Sequence, residues 1–406
     1  MENIFSRAVE NLVNPQMRSA SDSLRGLTNL FPPRLTEGAK KVNTNSALTI
    51  SAFYCAVGTI ADSIALLPMS VYRKTGKMKD HEPTHPVDYL LYREPNSYMT
   101  AFTFKFIMVV SVLMRGNAYA IIQRNNSGNV AAYQFVDQSD VTVKSNSGKL
   151  FYIIKGITYS ADEIIHIPGF SFDGICGRSI IEHAADNLGV SLSAQQFGSD
   201  ALNDRGLSHG IIETDKSVDK TPKEKIANHV SERLQSGNKF RVAMLDEGMK
   251  YKTIALTPQE AQFIETYASG IPDIARWFKI PLHKLHVSGE GGYNFLVQMS
   301  IEYLQTAVMP IGEKFKQEFE RKSFTRAERV SGIYIFQNYN KLLQADPKAR
   351  SEYYKSLYYI GVYNPNEIRE LEDRNPRDDD GGDLYVQPSN MMNELQMKKQ
   401  VENEAV

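Results

Sequence analysis

The feature that most constrains this chain is an order of elements between Ser179 and Lys322: a long helix, a compact insert, a returning helix, a glycine-rich loop and a third long helix. Ser179-Ile180-Ile181-Glu182 has the form of a capping box, in which the hydroxyl takes the Glu182 amide and that carboxylate returns to the cap amide. Apolar residues then recur at Ile181, Ala184, Ala185, Leu188, Leu192, Ala201 and Leu202, until Asn203-Asp204-Arg205-Gly206 supplies a glycine stop. At about 1.5 Å per residue this is a rod of roughly 40 Å. Gly189 and Gly198 inside it each cost about 1 kcal/mol relative to alanine, which points to close packing against a neighbouring rod.

The chain returns at Thr257-Pro258-Gln259-Glu260, where threonine caps, proline takes the first helical position and glutamate completes the box. Ala261, Ile264, Tyr267 and Ala268 form its apolar stripe, and Gly270-Ile271-Pro272 is expected to break or kink it before Ile274 to Phe278 resume. The third helix carries Val297, Ile301, Leu304, Val308, Ile311, Phe315 and Phe319, a near-heptad seam with a bend expected at Pro310.

Around this centre the texture is mixed, so the fold class is α+β. Residues 1–45 read as a flexible polar arm, with Phe31-Pro32-Pro33 opposing regular structure. Thr49 to Leu67 reads as a helix, Met69 to Arg73 as a strand with a turn at Thr75-Gly76-Lys77, and Val87 to Tyr92 as a short helix. Thr100 to Met114 is an apolar helix ended by Arg115-Gly116-Asn117. Alternating runs at Tyr119–Ile122, Tyr133–Val136, Val141–Val143 and Phe151–Ile154, separated by Ser-Gly turns, predict an antiparallel sheet region. The insert reads as a strand at Gly210–Glu213, a helix at Thr221–Leu234 and two strands around Asp246-Glu247-Gly248. Beyond residue 325 come a strand at Ile333–Phe336, a helix capped by Asp346-Pro347, another capped by Asn364-Pro365-Asn366-Glu367, and an acidic tail.

With 406 residues and 42% hydrophobic content the chain can fill two or three cores. A formal charge of −1 gives it no general attraction for nucleic acid, and no basic recognition helix marks a sequence-specific DNA-binding regulator. Two cysteines, Cys55 and Cys176, are too few for a disulfide framework and read as buried thiols in a reducing interior. Asp62 and several hydroxyls interrupt the stretch from Ile50 to Leu67, which favours an amphipathic helix over a membrane span, and no signal peptide is read at the start.

Reactive motifs are sparse. His283 and His286 stand three apart without nearby cysteine or HxE partners, so a surface or capping role outweighs a metal, and the same holds for His81 and His85. Gly169-Phe170-Ser171-Phe172-Asp173 resembles a nucleophile elbow only superficially; a hydrolase would use Ser171 with a histidine such as His183. Gly289-Glu290-Gly291-Gly292 lacks the offsets of a dinucleotide fingerprint, and no phosphate-loop Gly-Lys-Ser/Thr occurs. Neither enzymatic activity nor a cofactor or metal is expected.

Four segments then carry a resemblance: Thr100-Ala101-Phe102, Leu113-Met114-Arg115-Gly116-Asn117-Ala118-Tyr119, His166-Ile167-Pro168-Gly169-Phe170-Ser171-Phe172-Asp173-Gly174, and Gly361 through Arg369. From about Leu48 to Asn390 the chain resembles the portal proteins of tailed bacteriophages, in the branch with short chains found in siphophages and prophages. The resemblance implies a ring, usually of twelve copies, at one capsid vertex, through which double-stranded DNA is packaged and ejected. It implies partners as well: terminase, a head-tail adaptor, and capsid and scaffold proteins, in the virion and, during assembly, in the bacterial host cytoplasm.

Carried onto this sequence, it implies a wing at 46–178, stem helices at 179–206 and 257–283, and a small α+β clip at 207–256. A tunnel loop would span 284–294, a long helix 295–330, a wing strand and crown helices 331–385, and a flexible tail 386–406. Val287, Ser288, Gly289, Glu290, Gly291, Gly292, Tyr293 and Asn294 would face the DNA. With no lysine or arginine among them, any grip on phosphate would be steric or through the backbone and Asn294. Lys220, Lys223, Lys225, Asp246 and Glu247 of the clip would meet the docking partners.

Overall fold

The computed structural model describes residues 18–19, 42–146, 148–205, 210–214, 249–253, 270–287, 292–342, 347–372, 374–377, 379 and 381–386. They belong to two units, one ending at Gln337 and the other beginning at Asn338.

In chain order the first unit contains β1 (Arg18–Ser19), α1 (Thr44–Ala47), α2 (Ser51–Leu66), β2 (Met69–Thr75), β3 (Met78–His81), α3 (Pro86–Tyr92) and α4 (Ala101–Arg115). Then come β4 (Asn117–Arg124), β5 (Val130–Val136), β6 (Val141–Asn146), β7 (Lys149–Ile154), β8 (Ile157–Ser160), β9 (Ile164–Pro168), β10 (Phe170–Ser171) and β11 (Gly177–Arg178). After these follow α5 (Ile180–His183), α6 (Ala185–Arg205), β12 (Gly210–Thr214), β13 (Met249–Thr253) and α7 (270–278). The unit closes with α8 (Tyr293–Tyr303), a π turn at Leu304–Val308, α9 (Met309–Ser323), α10 (Arg326–Val330) and β14 (Ile333–Gln337).

The core forms where α2, α4 and α9 meet. Thr100 Oγ1 accepts the Thr103 amide at 3.2 Å to start α4, and Gly116 stops it at φ 87°, a left-handed conformation that glycine adopts without strain. Phe53, Ile60 and Ile64 of α2 and Phe104 and Met108 of α4 are buried. From α9, Phe319 sets its ring edge-on to Phe104 and Tyr133, with centroids 6.4 and 5.1 Å away. One charge lies inside this core: Lys105 donates to the Leu67 carbonyl at 2.6 Å, capping the end of α2, and burial pushes its pKa down to about 8.

The predicted sheet region divides into antiparallel sheets, β5-β4-β9 and β1-β6-β7-β8, and a third sheet, β14-β2-β3, brings a distant strand onto the early hairpin. Tyr119, Val136 and Ile164 of the first meet Tyr152 and Ile154 of the second in one buried cluster. Within the stretch read as a free arm, Arg18–Ser19 pairs with Lys144 and Ser145, whose strand edge offers unpaired amides and carbonyls. His85 caps α3, its Nδ1 accepting the Val87 amide at 3.2 Å.

Several helices differ from the sequence reading. Ser179 does cap, but its hydroxyl takes the Ile181 amide at 3.1 Å and donates to the Met114 carbonyl at 2.6 Å, so the box with Glu182 does not form. The rod also breaks at Ala184, dividing α5 from α6. Its buried stripe is Ile181, Ala184, Leu188, Ser191 and Ala194, while Ala185 and Leu192 are half-buried; the side chains of Ala201 and Leu202 lie outside the described residues. Close approach comes from the returning rod: a Cβ on Gly270 would stand 2.7 Å from Ser191 Oγ. Gly270, Ile271 and Pro272 are themselves helical, so the chain does not resume helix after them; residues 254–269, with the Thr257 cap, lie outside the described residues.

The expected long helix at 295–330 consists of α8, the π turn, α9 and the separate α10. Pro310 has no amide for the Thr306 carbonyl and its ring crowds that oxygen, and the π turn just before it widens the helix there. The seam is buried only in part: Leu304, Val308, Phe315 and Phe319 are buried and Val297 is exposed. α9 ends at Ser323, and Thr325 opens α10 with a capping box to Glu328.

In the second unit, α11 (Pro347–Tyr359) and α12 (Pro365–Leu371) stand where the sequence reading put them, the Asp346 cap lying outside the described residues, and Asn364 and Glu367 exchange both capping bonds at 2.8 Å. Asn366 accepts the Arg377 amide at 2.7 Å and donates to Asp383 Oδ1 at 2.8 Å, folding the acidic stretch back over α12.

Candidate functional site

The elements on either side of the glycine-rich loop are both tied to α2. On the entering side, Leu282–Leu285 forms a 3-10 turn, His286 turns the chain with φ 58°, and the Val287 amide donates to the Leu282 carbonyl at 3.3 Å. Cys55 of α2 reaches the Lys284 carbonyl at 3.6 Å. On the leaving side, Tyr303 OH lies 2.9 Å from Ser63 Oγ and donates to the Thr59 carbonyl at 3.1 Å, while Lys284 Nζ sits 5.8 Å from the centre of the Tyr303 ring. One helix therefore ties the turn before the loop and the far end of α8.

Gly292 is the exposed N-cap of α8, and its carbonyl takes the amides of Phe295 and Leu296 at 3.0 and 3.3 Å. Tyr293 and Asn294, read from sequence as loop, are the first helical residues, because a helix can begin as soon as the glycine carbonyl finds an amide. Val287 is half-buried; Ser288, Gly289, Glu290 and Gly291 lie outside the described residues, as do the side chains of Tyr293 and Asn294.

Of the insert, β12 and β13 pair antiparallel from Gly210↔Thr253 to Thr214↔Met249. The predicted docking residues Lys220, Lys223, Lys225, Asp246 and Glu247 lie outside the described residues, as does the predicted helix at Thr221–Leu234.

Two of the segments that carried the resemblance, residues 113–119 and 166–174, come together in a buried polar knot. Asn117 both donates to the Gly177 carbonyl, at 2.9 Å, and accepts its amide, at 2.7 Å. The same Asn117 Oδ1 lies 3.0 Å from His166 Nε2, so that nitrogen carries the ring proton, and His166 Nδ1 accepts from Tyr152 OH at 3.0 Å. Glu318 of α9 takes the His166 amide at 3.3 Å and holds Arg321 at 2.7 Å; burial raises its pKa. Gly169 donates to the Gly116 carbonyl at 2.7 Å, and a Cβ on Gly177 would stand 1.9 Å from that oxygen. Sequence reasoning singled out these motifs without placing them in contact; the clue was glycine beside asparagine at a helix stop, matched by glycines flanking a distant strand.

Burial holds the His166 pKa down at about 3. The unfolded imidazole titrates at about 6.5, so its contribution to stability is complete above that pH and drains away as pH falls towards 3. Urea midpoints measured from pH 7 to pH 4 should therefore fall more steeply for the wild type than for His166→Gln, and equal slopes would contradict this.

The pair considered for a hydrolase is not assembled. Ser171 Oγ lies 2.7 Å from Asp173 Oδ1 and 2.8 Å from the Cys176 carbonyl and accepts the Gly174 amide at 3.0 Å. His183 instead stands edge-on to Phe172, centroids 6.5 Å apart. The Asp173 carboxylate takes the Ile175 and Cys176 amides, so the segment is a tight turn, and Cys176, half-buried, has its thiol pushed up to about 11 by burial. Among the described residues no group of three or more His, Cys, Asp or Glu is placed to hold a metal, and no helix is long and apolar enough to cross a membrane.

With this geometry in place, comparisons with known proteins agree with one another. The family model described as phage portal protein matches residues 51–373. The portal protein of Enterobacteria phage HK97 is 26% identical over 359 residues, covering 86% of this chain and 84% of that one. Among solved structures, an HK97-family portal protein from Corynebacterium diphtheriae superposes with a TM-score of 0.55 at 15% identity, over 76% of this chain and 99% of the other. A chain from the neck of a gene transfer agent particle, computed with C12 symmetry, gives 0.54 at 19% identity, over 84% and 97%. A match that runs from α2 through α12, across most of the length, places this chain in the phage portal protein family.

Proposed function

We propose that this chain forms a closed ring of about twelve copies at the capsid neck, and that double-stranded DNA passes through the ring during packaging and ejection. The observation that supports this reading is the glycine-rich stretch between α7 and α8, whose flanking elements are both tied to one core helix and which leads straight into α8. The twelvefold symmetry used for the similar gene transfer agent neck supports that copy number.

The physical chemistry suits a conduit. Each phosphate neutralised by a fixed cation adds affinity and friction, and a formal charge of −1 with a loop free of lysine and arginine keeps that well shallow. Glycines at 289, 291 and 292 let the loop follow a moving duplex, since glycine visits many backbone states. The motor that drives translocation is then a separate polypeptide, terminase, docking with later head-tail adaptors on the clip at 207–256, while capsid and scaffold proteins meet the wing.

Native mass measurement and electron micrographs of the purified protein test the ring: closed particles of about twelve subunits are expected, and monomers at every concentration would overturn it. For the clip, the double charge reversal Lys223→Glu and Lys225→Glu should weaken terminase or adaptor binding without changing thermal stability. Equal partner binding by wild type and variant would refute the assignment.

A further inference from the structure

α8 carries two unburied apolar faces. Leu296 and Val297 stand seven residues, about two turns, before Tyr303 and Leu304, and so on the same side of the rod. Tyr303 and Leu304 are buried in the body of this protomer, yet Leu296 and Val297 are 40% and 42% exposed. The core-facing stripe thus continues past its buried part with both side chains exposed.

Phe295, Met299, Glu302 and Thr306, spaced four, three and four apart, mark a different side. Met299, Glu302 and Thr306 line a groove of about 430 Å³, whose other wall includes Pro272, Arg276 and Lys279 of the α7 segment and Leu282 of the following turn. Leu282 is 38% exposed, and Phe295, one turn above Met299, is 50% exposed. At about 100° per residue, the Leu296/Val297 side and the Phe295/Met299 side are separated by roughly 130°. A helix that is apolar on well-separated sides is normally enclosed, and a single flat partner covers only one of them.

Resting on the ring reading above, we infer that the Leu296/Val297 face of α8 in one protomer seats in the α7–α8 groove of the next protomer. The contact is heterologous, projection into recess, so each copy offers one half to each neighbour and the series closes by rotation. A second copy of the chain is the occupant because projection and recess lie on widely separated sides of one rod, the arrangement that side-by-side helices around an axis require. The groove's apolar floor accepts the two aliphatic side chains, and Arg276 and Lys279 stay on its solvent rim.

The test uses two full-length variants at exposed positions, Leu296→Asp in the projection and Leu282→Asp in the groove, studied by native mass spectrometry with circular dichroism to follow folding. Each alone should lose rings, the dissociation constant of the contact rising at least about thirtyfold. Mixed in equal amounts they retain one intact projection and one intact groove, so a heterodimer should appear and nothing larger. The heterodimer also shows that both variants are folded. Rings from either variant alone, or a mixture without heterodimer, would overturn the inference while leaving the ring itself standing. A wild type that never forms rings would instead defeat the ring reading.

Discussion

Gly177→Ala is expected to abolish the folded protein at ordinary temperature. The added Cβ would lie 1.9 Å from the Gly116 carbonyl oxygen and 2.6 Å from the Gly169 amide nitrogen, both main-chain atoms with no rotamer to yield. Those two groups are hydrogen-bonded to each other at 2.7 Å, and Gly116 is itself packed against the Arg178 main chain, where a Cβ on it would stand 2.4 Å from the carbonyl carbon. Relief requires moving Gly177 away from Asn117, which breaks both buried Asn117 bonds and disturbs the His166 site they hold. Overpacking of about 1–3 kcal/mol, together with buried polar groups left unpaired at about 1–3 kcal/mol each, reaches the size of a typical domain's whole stability. Soluble yield and urea unfolding measure the effect; a variant within about 1 kcal/mol of wild type would show that the knot does not constrain the fold.

The second large effect concerns function alone. Removing Gly289 to Gly291 should leave ring assembly and thermal stability intact and sharply reduce the DNA retained in filled heads. Gly292 is kept because its carbonyl opens α8; a deletion through it would remove the cap and confuse a helix defect with a channel defect. On the ring reading proposed above, the contacts of Lys284 and Tyr303 with α2 do not involve the deleted residues, so shortening the loop should widen the opening without unfolding the elements beside it. Packaged length and retained DNA in phage particles carrying the deletion provide the measurement, and unchanged values would remove the loop from the mechanism.

These two residue sets differ in how far the sequence reveals them. The loop is legible locally, as glycines between an apolar turn and a helical stripe, whereas Gly177 looks like an ordinary loop glycine until the chain brings Gly116 and Gly169 to it. The same contrast runs through the helices. Thr100, Asn364 and Gly116 act at the ends they were read to mark, because a cap joins groups that are neighbours in sequence. Ser179 is a cap in both readings, but the Met114 carbonyl captures its hydroxyl proton and Glu182 is left outside the expected box.

The sequence by itself marked many of the described helices and strands with their caps and turns, a run of glycines before Tyr293, and the family motifs, since periodicity, capping and turn chemistry act over a few residues. Only the tertiary structure decided that β14 joins the early hairpin, that the helix before Pro310 opens into a π turn, and that Asn117, His166, Gly177 and Glu318 share one buried site. It alone also left Leu296 and Val297 bare while burying Phe315 and Phe319 of the same seam. The physical reason is that an apolar stripe states which side of a rod seeks cover, while how far the cover extends depends on what the remaining chain places beside it.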